Sequence, residues 1–258
     1  MASHLVVARG IAKSYSKTQA LSPTSFTIEP GERVALAGPS GSGKTTLLYL
    51  MAGVIQPDAG ELYIGGRPLS RLQPGKELAH LVGLIHQQYD LVPHLPVVHN
   101  VLAGRLGQWS LLHSVISLLR PRERHLAEAA LSQLGIADKL NKRTSYLSGG
   151  EQQRVAIARV LVQSSRIILA DEPVSSLDPA RADDLLRLLS GLAADSGKTL
   201  VASLHTPALI RKYFSRVIGL RDGRLQFDLP AAEADEALLA NLYDLNNGTS
   251  EEAGTEAP

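Results

Sequence analysis

The sequence predicts an α/β fold in which helices cover a mostly parallel sheet, with an N-terminal antiparallel β sub-domain and an inserted helical sub-domain. Short apolar runs at 33–37, 166–170 and 199–204 have the composition of buried strands, and helical segments separate the last two. Strands that alternate with helices favour a parallel sheet. The first thirty residues instead alternate apolar and polar positions between turn residues, which indicates antiparallel strands. From about 90 to 162 helical periodicity dominates, which indicates the inserted sub-domain.

The remaining elements follow the same patterns. In chain order they are a strand and turn around 60–68, an amphipathic helix over 179–192, a strand and hairpin over 216–225, and an acidic helical segment over 231–243. Residues 246–258 are small, polar and acidic, as in disordered tails. We therefore expect one domain over residues 1–245 followed by a disordered acidic tail.

Composition narrows the classes of function. The chain has 258 residues, with 26 basic and 25 acidic side chains and a net charge of +1, so no charge excess indicates a nucleic-acid partner. It contains 0 cysteines, which excludes disulfide frameworks, thiolate metal sites and cysteine nucleophiles. No run approaches the roughly 20 apolar residues of a membrane-spanning helix, and the N-terminus lacks the pattern of a signal peptide. We expect a soluble, cytosolic chain.

A glycine-rich loop lies between the strand at 33–37 and a helix. It matches the pattern G-x-x-x-x-G-K-[ST], in which backbone N–H groups and a helix N-terminus bind phosphates. The residues expected to bind ATP here are Gly38, Pro39, Ser40, Gly41, Ser42, Gly43, Lys44, Thr45 and Thr46. Lys44 would reach the β- and γ-phosphates, and the Thr45 hydroxyl would ligate Mg²⁺. The alternative is a glycine-rich turn without a ligand. With its context of strand and helix, the loop predicts a P-loop NTPase core.

An acidic pair follows the second buried strand. Asp171 stands directly after the apolar run, where a carboxylate can ligate the Mg²⁺ that Thr45 holds. Glu172 is next, and we expect it to polarise the water that attacks the γ-phosphate. Without the phosphate loop, an ordinary turn at a strand end would be the better interpretation.

Between these motifs lies a segment that identifies the family by resemblance. Leu147, Ser148, Gly149, Gly150 and Glu151 open a helix, and their sequence resembles the signature motif of ABC-transporter ATPase subunits. A helix start offers N–H donors to an anion. In that family the anion is the ATP bound to the partner subunit, so the resemblance implies a head-to-tail homodimer in the ATP-bound state.

The resemblance also implies roles for residues in the loops around the site. Tyr15 matches the aromatic residue that stacks on adenine, although a half-buried strand tyrosine is an equal alternative. Gln87 matches the glutamine that contacts Mg²⁺ and the attacking water, with Gln88 as its rival. The family usually has an aromatic residue before this glutamine, and His86 departs from that pattern. The implied Mg²⁺ ligands are Thr45, Gln87 and Asp171.

Two further motifs of the family follow the acidic pair. Ser176, Leu177 and Asp178 match the loop that makes contacts across the dimer, and Asp178 also suits a helix N-cap. His205 matches the switch histidine that bonds the γ-phosphate, although an isolated histidine at a strand end is more often structural. The implied catalytic residues are thus Glu172, His205 and Gln87.

The chain is most similar in detail to the ATPase subunits of phosphonate importers. The resemblance lies in 87–93, 100–107, 110–124 and 217–224. It implies an ATP-hydrolysing motor subunit at the cytoplasmic face of the inner membrane, bound to a permease dimer through a groove within 89–109 and served indirectly by an external solute-binding protein. The alternatives are another ABC importer or exporter and, with less support, a non-transport ABC ATPase that acts on nucleic acid.

Overall fold

The computed structural model describes residues 4–16, 18–119, 121–175 and 177–243. Its strands are β1 (Val6–Tyr15), β2 (Thr18–Ile28), β3 (Arg33–Ala37), β4 (Ala59–Ile64), β5 (Arg67–Pro68), β6 (Val82–Ile85), β7 (Ile167–Ala170), β8 (Thr199–Ser203), β9 (Arg216–Arg221) and β10 (Arg224–Pro230). Its α-helices are α1 (Lys44–Met51), α2 (Glu77–Leu81), α3 (Val97–Leu102), α4 (Leu111–Leu119), α5 (Arg124–Gln133), α6 (Gly149–Gln163), α7 (Pro179–Asp195), α8 (Pro207–Tyr213) and α9 (Glu236–Tyr243).

A six-stranded sheet forms the centre of the fold, in the order β10-β9-β3-β8-β7-β6. Neighbouring strands from β9 to β6 run parallel, and β10 pairs antiparallel with β9 at the edge. The phosphate loop follows β3, the acidic pair follows β7 and His205 follows β8. Because these strands are neighbours with β8 in the middle, their carboxyl ends bring the predicted motifs to one edge of the sheet.

Alternation along the strands gives this sheet a hydrophobic core on each face. On β3, Ala35 and Ala37 belong to one core while Val34 and Leu36 belong to the other. The first core joins the sheet to α3, α5, α6 and α7, and the second joins it to α1 and to the N-terminal strands. A strand that is buried on both faces is nearly continuously apolar, which is why β3, β7 and β8 were recognisable in the sequence.

A second, antiparallel sheet has the order β2-β1-β4-β5, as the alternation in the N-terminal segment predicted. The α/β class with a mostly parallel sheet is confirmed. The bounds of β3 are those predicted. Within the described ranges, no helix combines the length and the apolar character that crossing a membrane requires.

The structure differs from the prediction near the C-terminus. Helix α9 begins at Glu236 rather than at 231, because a turn precedes it and the Asp235 carboxylate accepts the Leu238 N–H at 2.6 Å as a helix cap.

The short elements α2 and α8 were not predicted, since each has fewer than two full turns of periodic residues to detect. The predicted tail over 246–258 lies outside the described residues.

Candidate nucleotide-binding and hydrolysis site

The phosphate loop adopts a backbone that only glycine tolerates at two positions. Gly38 and Gly43 have φ values of 148° and 100°. A Cβ at Gly38 would lie 2.0 Å from the Leu220 carbonyl oxygen, and one at Gly43 would lie 2.6 Å from the Ala20 carbonyl oxygen. These glycines therefore let the loop turn closely over the strands that surround it before α1 begins.

Lys44 lies at the centre of this loop, with only 4% of its surface exposed. Its ammonium group donates to the carbonyl oxygens of Gly38 and Pro39, each at 2.8 Å, and to the Ser42 hydroxyl at 3.4 Å. Burial lowers the pKa of Lys44, and the nearby carboxylates of Glu172 and Asp171 oppose that shift. The loop thus holds a cation against its own carbonyl groups, at the position from which the lysine of this motif reaches the phosphates.

The predicted metal ligands from the two halves of the site meet. The Thr45 hydroxyl donates to Asp171 Oδ1 at 3.1 Å, although the two residues are 126 positions apart in the chain. The Ser203 hydroxyl also donates to Asp171 Oδ1, at 2.9 Å, and accepts the Glu172 N–H at 2.7 Å. Ser203 is fully buried at the end of β8 and therefore fixes both acidic residues.

The three predicted catalytic residues also lie together. Gln87 Nε2 donates to Glu172 Oε2 at 3.3 Å, and His205 Nε2 lies 2.9 Å from Glu172 Oε1. Glu172 has a φ of 46°, in the left-handed region that residues other than glycine rarely adopt. The amide that reaches Glu172 belongs to Gln87 and not to its rival Gln88.

The loop that follows Gln87 is tied to the helical segment. The guanidinium of Arg159, on α6, donates to the carbonyl oxygens of Tyr89 and Asp90, each at 2.7 Å. Arg159 is largely buried, and this burial lowers its pKa. His86, which departs from the family pattern, lies edge-on to the Tyr49 ring with centroids 5.8 Å apart, so an aromatic contact is made there.

The signature motif forms the capped start of α6. The Ser148 hydroxyl accepts the Glu151 N–H at 3.3 Å, and the Glu151 carboxylate accepts the Ser148 N–H at 2.8 Å. This reciprocal pair is a capping box, and the bond from the Ser148 N–H is the main cause of the lowered pKa of Glu151. Leu147 is buried beneath the cap, whereas a Cβ at Gly149 or Gly150 would meet nothing within 4 Å.

The other predicted residues lie around this centre. Tyr15 is 47% exposed at the end of β1, with Lys13 Nζ 5.8 Å from its ring centroid. Thr46 is partly exposed in the first turn of α1. The Asp178 carboxylate accepts the Arg181 N–H at 3.0 Å and caps α7, and Leu177 is partly buried. Ser176 lies outside the described residues.

Two residues at the site were not predicted from the sequence. Ser203 ends β8, and its hydroxyl bonds Asp171 and Glu172, which follow β7, so no local pattern of the sequence indicated its role. The hydroxyl of Tyr243, from α9, accepts the Gly38 N–H at 3.1 Å and donates to the Leu204 carbonyl at 3.2 Å. No local pattern indicated Tyr243, since it is 205 positions from Gly38.

Comparison with known proteins gives consistent matches. A family model described as "ABC transporter" matches residues 21–175. The phosphonates import ATP-binding protein PhnC 1 of Pseudomonas aeruginosa is 49% identical over 87% of this chain and 85% of its own length. The phosphonates import ATP-binding protein PhnC of Pseudomonas putida is 47% identical over 91% and 88%, respectively.

Solved structures of ATP-binding cassettes are similar to this chain over most of its length. The dimeric ATP-binding cassette MJ0796, in a post-hydrolysis state bound to ADP and Pi, is 31% identical, with a TM-score of 0.75 over 88% of this chain and 98% of that one. A nucleotide-free ATP-binding cassette from an ABC transporter has a TM-score of 0.79 at 23% identity, over 93% of this chain and 95% of that one, and supports the fold.

Proposed function

This chain belongs to the ABC transporter family and is an ATP-binding subunit with ATPase activity, and from that premise we propose that it drives the import of phosphonates. The observation that carries the proposal is the 49% identity, over most of both chains, with a phosphonates import ATP-binding protein. Related phosphorus oxyanions belong to the same proposal. Because the site described above handles ATP and not cargo, the choice of cargo rests on the relatives.

The proposed hydrolysis uses the residues that meet at the edge of the sheet. Lys44 and the N–H groups of the phosphate loop bind the β- and γ-phosphates, where they stabilise the charge of the transition state. Glu172 polarises the attacking water. Gln87 and His205 hold Glu172 from two sides, and this contact supports their roles in orienting the water and the γ-phosphate.

The donor set at this site fits magnesium. Thr45 Oγ1 and Asp171 Oδ1 are 3.1 Å apart, and both are oxygen donors of the kind that Mg²⁺ prefers. We propose that these two atoms, with the Gln87 amide oxygen, hold the ion together with the phosphates. When bound, Mg²⁺ neutralises charge that develops on the phosphate oxygens.

The signature glycines support the proposed homodimer. Glycine in a helix costs stability relative to alanine, so its presence needs a reason. Gly149 and Gly150 have no positive φ, and a Cβ on either would meet no atom of the described chain. At the signature motif we assign this reason to a close approach by the ATP of a second subunit, with Ser148 as a donor to it. Leu177 and Asp178 would lie at the same interface.

The proposed permease contact lies on the helical segment. A groove of about 180 Å³ is lined by residues of the loop before α3, of α3, of the segment between α3 and α4, and of α4. Val92 and Leu106 line this groove and are each 50% exposed, and Leu112 and Val115, elsewhere on α4, are 70% and 57% exposed. Exposed apolar side chains that line a groove are typical of a protein contact. Through it the subunit would be held at the cytoplasmic face of the inner membrane, with the external solute-binding protein on the far side of the permease and no nucleic-acid partner.

The test is an uptake assay in a cell that obtains phosphorus through the intact transporter. The gene for this subunit is removed and replaced by the wild type or by Glu172→Gln, and uptake of a phosphonate and of sulfate is measured. Loss of phosphonate uptake alone, restored only by the wild type, is the expected result. Loss of another solute's uptake would assign a different importer, and accumulation of a normally exported solute would assign an exporter. Co-purification with RNA instead of a permease would refute transport altogether.

A further inference from the structure

The hydroxyl of Tyr243 lies where two neighbouring strands separate. Strands β3 and β8 run parallel, with Leu36 paired to Ser203, and the Leu204 N–H donates to the Leu36 carbonyl at 3.0 Å. In a parallel ladder, the N–H and C=O of one residue bond to two residues that are two positions apart on the next strand. The next bond of this ladder would therefore join the Gly38 N–H to the Leu204 carbonyl.

Tyr243 takes the place of that backbone bond. Its hydroxyl accepts the Gly38 N–H at 3.1 Å and donates to the Leu204 carbonyl at 3.2 Å, so both backbone groups are satisfied while the strands stay apart. Gly38 begins the phosphate loop, and Leu204 precedes His205. The hydroxyl therefore spaces the loop that holds Lys44 from the residue that contacts Glu172.

The tyrosine is held firmly enough to act as a spacer. Helix α9 buries Leu239 and Leu242 in the core, and the Arg221 guanidinium donates to the Asn241 carbonyl at 3.0 Å. The Tyr243 ring lies 6.1 Å from the His205 ring, centroid to centroid. Burial, together with the Glu172 charge, raises the pKa of Tyr243, so the hydroxyl keeps the proton that it donates to Leu204.

We propose that Tyr243 is a positioning residue for ATP hydrolysis, whose hydroxyl sets the distance between the start of the phosphate loop and the switch histidine. Without the hydroxyl, either the ladder closes between Gly38 and Leu204 or both groups lose their partner. Each outcome moves His205 relative to the phosphates. Because a small displacement of a catalytic group slows chemistry more than it weakens ground-state binding, the effect falls on kcat.

The experiment compares Tyr243→Phe with Tyr63→Phe in the full chain. Tyr63 is the matched control, because its hydroxyl donates to Glu61 Oε2 at 3.0 Å on β4, outside the site. For Tyr243→Phe we expect kcat to fall by about tenfold or more, with the KM for MgATP within about twofold of the wild type. In glycine-labelled protein, the amide resonance of Gly38 should shift in Tyr243→Phe and stay unchanged in Tyr63→Phe.

The outcomes separate this inference from the function on which it rests. A kcat of Tyr243→Phe equal to that of Tyr63→Phe would overturn the positioning role, as would a change confined to KM or a Gly38 resonance that does not move. A kcat loss matched by an equal loss of folded protein in the thermal melt would also overturn it, because the role would then be structural. Failure of the wild type to hydrolyse ATP would instead refute the proposed function.

Discussion

Replacement of Gly150 by alanine should make the folded chain more stable and the ATPase less active. Gly150 lies in the first turn of α6, has no positive φ, and has open space where its Cβ would point. Alanine is favoured over glycine in a helix by about 0.5 to 1 kcal/mol, which corresponds to a rise in melting temperature of about 1 to 4 °C for a domain of this size. The same methyl group would occupy the space assigned to the partner's ATP.

The loss of dimer stability caused by Gly150→Ala depends on the number of signature motifs in the dimer. Overpacking a closely fitted contact costs about 1 to 3 kcal/mol, and a symmetric dimer has two signature motifs, so the dimer should lose about 2 to 6 kcal/mol. That loss corresponds to dimerisation weakened on the order of 30-fold to 10⁴-fold. The matched control is Gly191→Ala on α7, where a Cβ also meets nothing within 4 Å. The control should gain stability without weakening the dimer.

The assay is size-exclusion chromatography with ATP in a Glu172→Gln background, together with thermal melts of the single variants. We expect Glu172→Gln and Glu172→Gln/Gly191→Ala to form dimers, and Glu172→Gln/Gly150→Ala to remain monomeric. If the Gly150 double variant dimerised as readily as Glu172→Gln, the signature motif would not lie at a nucleotide interface. A lower melting temperature for Gly150→Ala would show instead that the glycine serves the chain's own fold.

Three further predictions concern the site itself. Glu172→Gln should retain ATP and slow turnover by about 10²-fold or more, because the amide cannot polarise water as a carboxylate does; undiminished hydrolysis in a phosphate-release assay would contradict this role. Lys44→Ala removes the buried ammonium that bonds Gly38 and Pro39 and should weaken ATP binding, and an unchanged affinity in calorimetry would exclude the phosphate-loop interpretation. Ser203→Ala should destabilise the fold by about 1 to 3 kcal/mol, because the Glu172 N–H loses its partner; a denaturant midpoint equal to the wild type, with normal turnover, would remove Ser203 from the site.

The parts of the fold that the sequence predicted share a physical basis. Strands β3, β7 and β8 are buried on both faces, so their apolar runs stand out, and the motif residues follow directly at their carboxyl ends. The roles of Gln87 and His205 came from the family resemblance, and the structure brings both to Glu172. The apolar runs and the phosphate-loop pattern were enough to place the strands and the loop, whereas Gln87 and His205 could be assigned only through the resemblance.

The parts that escaped prediction depend on distant contacts. Ser203 acts through hydroxyl bonds to a neighbouring strand, and Tyr243 acts across 205 positions of sequence, so neither carries a local signature.

The start of α9 was predicted too early because 231–235 has helical composition, whereas the cap at Asp235 decides where the helix begins. Periodicity detects an amphipathic face, but it does not detect the hydrogen bond that starts a helix.

The capping box at Ser148 affects how a phosphate can bind to and leave the start of α6. Within the cap the hydroxyl oxygen is the acceptor, so its hydrogen is still available to an external oxygen. A phosphate oxygen can accept this hydrogen without breaking a hydrogen bond of the helix. When the phosphate leaves, no hydrogen bond of the helix has to form again. In the proposed dimer, the subunit would therefore bind and release a nucleotide held by its partner without unwinding and re-forming the start of α6 in each cycle of hydrolysis.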